Sequence, residues 1–292
     1  MNHFLGDRKQ IARYYFLFVL ALPLFACSPK IGSTILVKQP PLPDTSFVLV
    51  LQQEESFSND GIEIGTIKSG DNGFSINCTW YEIAERLKQL ARQNGANVIK
   101  IIDHKSPDRF STCERVTARI YKVPDYKKHE KEIEWTIDRK LTWDDFRGSP
   151  KTYTNPDVAA ETYCGFAFRT NFKTWFNKTK IFTTNRFDCT LSWVMPSQRG
   201  REDLLEHEQA HFDLCEIYTR LLRKQVEEKE LTFRNLKSDA QLIYKEVYTS
   251  YLDRQELFEK ETNYGLNTNA QKKWLQTINK ELNDLNKFAN HY

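Results

Sequence analysis

The sequence predicts an α+β protein made of two domains behind an apolar N-terminal segment. Residues 46–125 carry strand-like runs on either side of one amphipathic helical pattern, which predicts a small ββαββ domain. In residues 135–292 strand-like runs come first and three long helical patterns come last, the order of an α+β fold. A chain of 292 residues is long enough for two such domains.

Each domain is assigned element by element from hydrophobic periodicity and turn residues. In the first domain we expect a helix at 81–93, followed by a stop at Gly95, between strands at 47–53, 62–68, 97–104 and 113–123. The charged stretch 125–134 is interpreted as an interdomain linker. In the second domain we expect strands at 160–171 and 178–195, then helices at about 201–231, 238–263 and 269–288.

Residues 1–26 have the features of a signal peptide. A basic start precedes an apolar run at 14–25 that is too short to span a bilayer as a stable helix. The run ends in Ala26-Cys27, which resembles the lipobox of bacterial lipoproteins, where the cysteine is diacylated and becomes the first mature residue. We therefore expect lipidation at Cys27 and location at the cell envelope, facing the periplasm or the surface. The lipid would be the only membrane attachment, and residues 27–45, rich in Pro, Ser and Thr, would form a tether.

The charge balance favours no polyanionic partner. The formal charge of +3 falls to +1 once residues 1–26 are removed, because they carry three basic residues and one acidic residue. A nearly neutral chain indicates neither nucleic acid nor an anionic membrane surface as a ligand, so we expect no nucleic acid partner.

Five cysteines follow Cys27, and an oxidising envelope permits disulfides. An odd number leaves at least one thiol unpaired. We expect a disulfide between Cys78 and Cys113, with Cys164 and Cys189 as a second candidate pair. Cys215 falls inside a helical pattern and is expected to be a buried thiol.

The chemistry of the second domain centres on His207-Glu208-Gln209-Ala210-His211, an HExxH motif in the first long helix. Two histidines four residues apart lie about 6 Å apart along the helix axis and on nearly the same face, so both imidazoles can bind one metal ion. Glu208 can then act as the general base that takes a proton from the attacking water and passes it to the leaving amine. The motif predicts zinc bound by His207 and His211, and hydrolysis of a peptide or protein substrate.

Further motifs accompany the HExxH motif: Leu141-Thr142-Trp143, Asp145-Phe146, Gly148, Ser192-Trp193-Val194, Leu204-Leu205, His207-Glu208-Gln209, His211-Phe212-Asp213, Glu261-Thr262-Asn263, Gln271 and Trp274. The chain resembles a bacterial family of predicted secreted zinc-dependent proteases, otherwise a domain of unknown function, over about residues 135–285. This resemblance implies a zincin-like second domain that binds zinc. The family pattern has a histidine after the Thr-Asn pair, where this chain has Tyr264.

The third zinc ligand stays open. No histidine other than His291 follows the motif, so a carboxylate or Tyr264 must serve. Glu230 would lie about 28 Å from His211 along a continuous helix, and Glu216 would face away from it. The candidates considered on the next helix are Glu246, Asp253, Glu256 and Glu261, of which Glu261 shares a helix face with Tyr264, and another acidic residue also stays possible.

Two functions from different classes remain. The preferred hypothesis is an envelope-anchored zinc metallopeptidase. The alternative is a catalytically inactive lipoprotein, a pseudoprotease with a structural or binding role, and Tyr264 in place of the family histidine favours it. Zinc content is the measurement that tests the peptidase hypothesis most directly, because a peptidase of this type requires stoichiometric metal.

Overall fold

The computed structural model describes residues 29–58, 60–71, 78–109, 111, 113–150, 158–171, 180–229, 231 and 235–289. The predicted signal peptide and Cys27 lie outside these residues. The chain divides into two compact units, Met1–Pro124 and Asp125–Tyr292. The α+β class is confirmed, with three long helices at the C-terminal end. Within the described ranges, no helix is both long and apolar enough to cross a membrane.

The first unit is built on a five-stranded sheet with the order β1-β3-β5-β4-β2. β2 is parallel to β4, and the other neighbouring strands are antiparallel. The predicted ββαββ order is present as β2, β3, one helix, β4 and β5. The strands are β1 (Lys30–Ile35), β2 (Leu49–Leu51), β3 (Ile62–Gly70), β4 (Val98–Lys105) and β5 (Arg115–Lys122).

Helix α1 (Trp80–Gln93) covers one face of this sheet. The side chain of Thr79 accepts a hydrogen bond from the backbone N–H of Glu82, whose carboxylate accepts from Thr79 in return. This capping box satisfies donors that a helix start leaves open. The buried residues of α1 recur at helical spacing and pack on the sheet: Ile83, Ala84, Leu87 and Ala91.

Two segments expected to lack regular structure contain strands. The predicted tether, residues 27–45, includes β1, which pairs with β3 along all six of its residues. The predicted linker, residues 125–134, belongs to the second unit and includes β6 (Glu132–Glu134). Ile133 is fully buried between two outward-facing glutamates. A strand with one inward side chain is too short to give a hydrophobic pattern, so its charges dominated the interpretation.

The second unit contains a three-stranded antiparallel sheet, β6-β9-β8, and a two-stranded sheet, β10-β7. In the structure, each of the two long strands predicted for this unit is divided into two shorter strands. Asp188 ends β9 because its carboxylate accepts hydrogen bonds from the backbone N–H groups of Thr190 and Leu191 in a tight turn. The four strands are β7 (Ala160–Glu161), β8 (Cys164–Asn171), β9 (Lys180–Asp188) and β10 (Trp193–Val194).

Three helices complete the second unit: α2 (Glu202–Glu228), α3 (Leu236–Thr262) and α4 (Thr268–Asp284). Helix α3 ends at Thr262, and the three residues that follow, Asn263, Tyr264 and Gly265, all have positive φ angles. This left-handed run reverses the chain, so α4 packs beside both α2 and α3. The shared core includes Phe187 from the sheet, Phe212 from α2, Phe258 from α3 and Trp274 from α4.

The cysteines are partly as predicted. Cys78 and Cys113 form a disulfide, and Cys215 is a fully buried free thiol of α2. The second candidate pair is wrong, since Cys164 and Cys189 are both free. The reason is orientation: Cys164 points at α2, where its Sγ lies 3.7 Å from a backbone carbonyl oxygen.

Candidate metal centre

The HExxH motif lies on the buried side of α2. His207 and Glu208 are each only 3% exposed, and the side chain of His211 is 13% exposed. Core residues flank the motif along the helix, with Leu204 one turn before it and Phe212 directly after it. The imidazoles therefore lie at the packed junction of the helices, where Phe258 of α3 stacks on His207 at 4.7 Å between ring centroids.

Helix α3 brings a carboxylate to the two histidines. Oε2 of Glu259 lies 3.3 Å from Nε2 of His207, and Oε1 lies 3.2 Å from Nε2 of His211. The two Nε2 atoms are themselves 3.2 Å apart. His207, His211 and Glu259 are the single group of three metal-ligating side chains that converges within the described part of the chain.

Glu259 is thus the candidate third ligand that the structure brings to the histidines, and the residues named from the sequence do not join this group. Glu246, Asp253 and Glu256 are exposed. Glu261 is exposed as well, and its carboxylate accepts a hydrogen bond from the indole N–H of Trp274. Tyr264 is 68% exposed in the turn after α3.

Of the two glutamates excluded as ligands by helix geometry, the structure describes one. Glu216 is buried in ion pairs with Arg220 and Arg223, on a part of α2 away from the motif. Glu230 lies outside the described residues.

The separations fit a zinc ion. In tetrahedral coordination with bonds of about 2.0–2.1 Å, neighbouring ligand atoms are about 3.3 Å apart. The shortest separations among His207, His211 and Glu259 are 3.2, 3.2 and 3.3 Å, with Oε2 of Glu259 beside His207 and Oε1 beside His211. One ligand atom from each residue lies within 4.8 Å of the other two, so a small adjustment of the carboxylate brings the three side chains to zinc-binding distances. Two imidazoles and one carboxylate also form a ligand set of catalytic zinc sites, which keep a fourth position for water or substrate.

An ion pair dominates the electrostatics of the triad, the name used here for His207, His211 and Glu259. Burial alone would lower the pKa of His211, but the hydrogen bond and charge of Glu259, with the charge of Glu208, raise it to about 9. Burial alone would raise the pKa of Glu259, but its hydrogen bonds to His207 and His211 lower it to about 2. At neutral pH a proton on His211 therefore competes with a metal ion for the same Nε2 lone pair.

Glu208 has a different environment from Glu259. Its carboxylate is buried, and Oε2 has no hydrogen-bond partner among the described residues. Burial raises the pKa of this carboxyl group, although His211 and His207 oppose the shift. Thr162 lies between β7 and β8, next to this turn of α2, and its hydroxyl donates a hydrogen bond to the backbone carbonyl of Glu208. A buried carboxylate oxygen without a partner is unfavourable by about 1–3 kcal/mol or more, so its presence calls for an explanation.

The first unit holds no comparable cluster among its described residues. Its histidine, His104, pairs with Glu114 at 2.8 Å and lies against the ring of Trp80.

Comparisons with known proteins add no relative. No family model, curated protein or solved structure matched this chain. The resemblance to secreted zinc-dependent proteases therefore stays a prediction from the motifs.

Proposed function

We propose that this protein is a zinc metallopeptidase held at the bacterial cell envelope by a lipid on Cys27. The observation that carries the proposal is the convergence of His207, His211 and Glu259, whose ligand atoms, one from each residue, lie within 4.8 Å of one another. Zinc held there would polarise the scissile carbonyl as a Lewis acid and lower the pKa of a bound water to about 7. The substrate would be a peptide or protein.

The protein's own contribution to the reaction centres on Glu208. Its unpaired Oε2 is available to take the proton of the attacking water and deliver it to the leaving amine. The low polarity around this carboxylate strengthens its electrostatic interaction with the neighbouring imidazoles. Glu259 balances the positive charge of the site, and its side chain, 32% exposed, faces the solvent side of the triad.

A second function is favoured by one specific observation. His207 and Glu208 are almost closed to solvent, whereas the general base of a peptidase must reach both water and substrate. The alternative is therefore a lipoprotein that binds zinc and does not hydrolyse peptides, a pseudoprotease with a structural or binding role.

The deciding experiment compares Glu208→Gln with Glu206→Gln, because Glu206 is an exposed glutamate on the same helix. Zinc content and cleavage of unfolded protein substrates would be measured on the full chain. We expect Glu208→Gln to keep zinc and lose hydrolysis, and Glu206→Gln to keep both. Stoichiometric zinc with no cleavage by the wild type supports the alternative. Absence of zinc from a wild type supplied with it eliminates the peptidase, and full activity in Glu208→Gln eliminates the mechanism.

A further inference from the structure

A glutamine side chain contacts Nδ1 of each histidine of the triad. Oε1 of Gln271, from α4, lies 3.2 Å from Nδ1 of His207. Oε1 of Gln255, from α3, lies 2.5 Å from Nδ1 of His211. Both contacts are made on the ring nitrogen that points away from Glu259, so they leave both Nε2 atoms facing the triad.

The direction of each amide is fixed by a second hydrogen bond. The Nε2 amide of Gln255 donates to the backbone carbonyl of His211 at 3.0 Å, and that of Gln271 donates to the backbone carbonyl of Asp203 at 2.9 Å. A flipped amide would place its oxygen against a carbonyl oxygen, with no proton between them. Each glutamine therefore presents its Oε1 to the imidazole, and an oxygen in that position can only accept.

This geometry determines the tautomer of both rings. Since Oε1 accepts, Nδ1 of His207 and of His211 must carry a proton. In a neutral imidazole with a proton on Nδ1, the lone pair is on Nε2, the atom that faces Glu259. The orientation of a metal-binding imidazole is set in this way by the partner of its other nitrogen.

The two glutamines are held firmly by the fold. Gln255 lies one helical turn before Glu259, so α3 supplies both a triad carboxylate and the group that orients His211. Gln271 is 3% exposed and reaches His207 because the turn after α3 directs α4 back along α2. Gly265 in that turn is tightly fitted, since a Cβ there would lie 3.3 Å from Nδ1 of His207.

We propose that Gln255 and Gln271 are positioning residues of the metal site, which hold His211 and His207 in the tautomer and ring orientation that leave both Nε2 atoms free to bind zinc. The inference rests on the proposed function for the identity of the metal. It goes beyond that function because it assigns a role to two residues that contact the histidines only at Nδ1 and would not bind the metal themselves.

The test replaces each glutamine by methionine and by glutamate in the full chain. Methionine has similar length but removes the oxygen acceptor, whereas glutamate keeps an oxygen for Nδ1. Zinc affinity would be measured by chelator competition. We expect each Met variant to bind zinc about 10–100-fold more weakly than the wild type. Each Glu variant keeps the acceptor for Nδ1 but loses the N–H that the amide donates to a backbone carbonyl, so it should bind more tightly than the matching Met variant. Met variants that bind as tightly as the wild type, or Glu variants as weak as the Met variants, would overturn the proposal, because packing alone would then explain the glutamines.

A spectroscopic measurement separates this inference from the proposed function. Nδ1 protons held in hydrogen bonds exchange slowly with water and give downfield proton resonances in the metal-free protein. We expect two such resonances, with that of His207 lost in Gln271→Met and that of His211 lost in Gln255→Met. If the wild type binds no zinc, the peptidase proposal fails, but these resonances still decide whether the glutamines set the tautomers. Resonances unchanged in both Met variants would refute the positioning role.

Discussion

Replacement of Glu259 by glutamine tests the triad most directly. The substitution keeps the shape of the side chain but removes the charge that lies 3.2–3.3 Å from Nε2 of both histidines. If Glu259 is the third ligand, only two strong ligands remain, and two ligands hold zinc poorly. Loss of a group that merely orients a ligand weakens metal binding about 10–100-fold, so loss of the ligand itself should cost at least about 100-fold.

The effect on stability follows from mass action. Zinc at about 100 times its dissociation constant stabilises the folded state by about 2.7 kcal/mol. For a unit the size of Asp125–Tyr292, each kcal/mol raises Tm by roughly 2–4 °C, so zinc should raise the wild-type Tm by about 5–11 °C. At the same zinc concentration, a variant with 100-fold weaker binding gains only about 0.4 kcal/mol, or about 1–2 °C.

The assay is thermal unfolding with and without zinc, with Glu261→Gln as the matched control. Glu261 lies two residues away on the same helix, is exposed, and hydrogen-bonds to Trp274 through an oxygen that glutamine retains. We expect Glu261→Gln to show the full zinc-dependent shift and Glu259→Gln to lose nearly all of it. The opposite pattern would restore Glu261 as the ligand and refute the assignment of Glu259. Equal shifts in both variants would show that the zinc measured is bound elsewhere.

Three further predictions concern other parts of the chain. Cys27→Ser should move the protein from the membrane to the soluble fraction with its fold intact, since the expected lipid is its only anchor; a variant that stays with the membranes contradicts this. Reduction of the bond between Cys78 and Cys113, 35 residues apart, should lower the unfolding free energy of the first unit by about 3–4 kcal/mol, measured by urea unfolding with and without reductant, and leave the second unit unchanged. Asp145→Asn should destabilise the second unit by about 2–3 kcal/mol at neutral pH, because it breaks the buried pair with Arg139. Burial alone would raise the pKa of Asp145 but Arg139 lowers it, so this stabilisation is present at neutral pH and lost below about pH 4, and the variant should show a flatter acid dependence in urea unfolding.

The part of the site that depends on one helix could be predicted from the sequence. The spacing of His207 and His211 places both on one face of any α-helix, whatever packs against it. The amphipathic pattern around them also identified α2, which begins one residue after the expected start and ends three residues before the expected end. Local geometry was sufficient for these two residues.

The third ligand could not be predicted because it depends on how two helices meet. The buried positions of α3 include Val247, Tyr251, Phe258 and Thr262. Glu259 and Glu261 lie on opposite flanks of this stripe, roughly 70–90° from its centre. Helix geometry therefore favours neither, and only the packing of α3 on α2 shows that the flank with Glu259 faces the histidines. The spacing of Gln255 and Glu259, one helical turn apart, is the sequence signal that lies on the correct flank.

The position of the site at a junction of three helices bears on how zinc would act on the fold. Helix α2 supplies both histidines, α3 supplies Glu259, and α4 supplies Gln271. The same helices share an apolar core that includes Phe212, Phe258 and Trp274, so their packing does not require a metal.

Without a metal the polar centre is also satisfied, because protonated His211 forms an ion pair with Glu259. When zinc replaces this proton, Glu259 exchanges one positively charged partner for another, and the structure is folded in both states. Zinc binding should therefore release a proton and add a few kcal/mol of stability, in contrast to small zinc fingers, which do not fold without their metal. Packing that does not depend on the metal leaves zinc available for the proposed chemistry, in which the buried, unpaired oxygen of Glu208 would act as the general base.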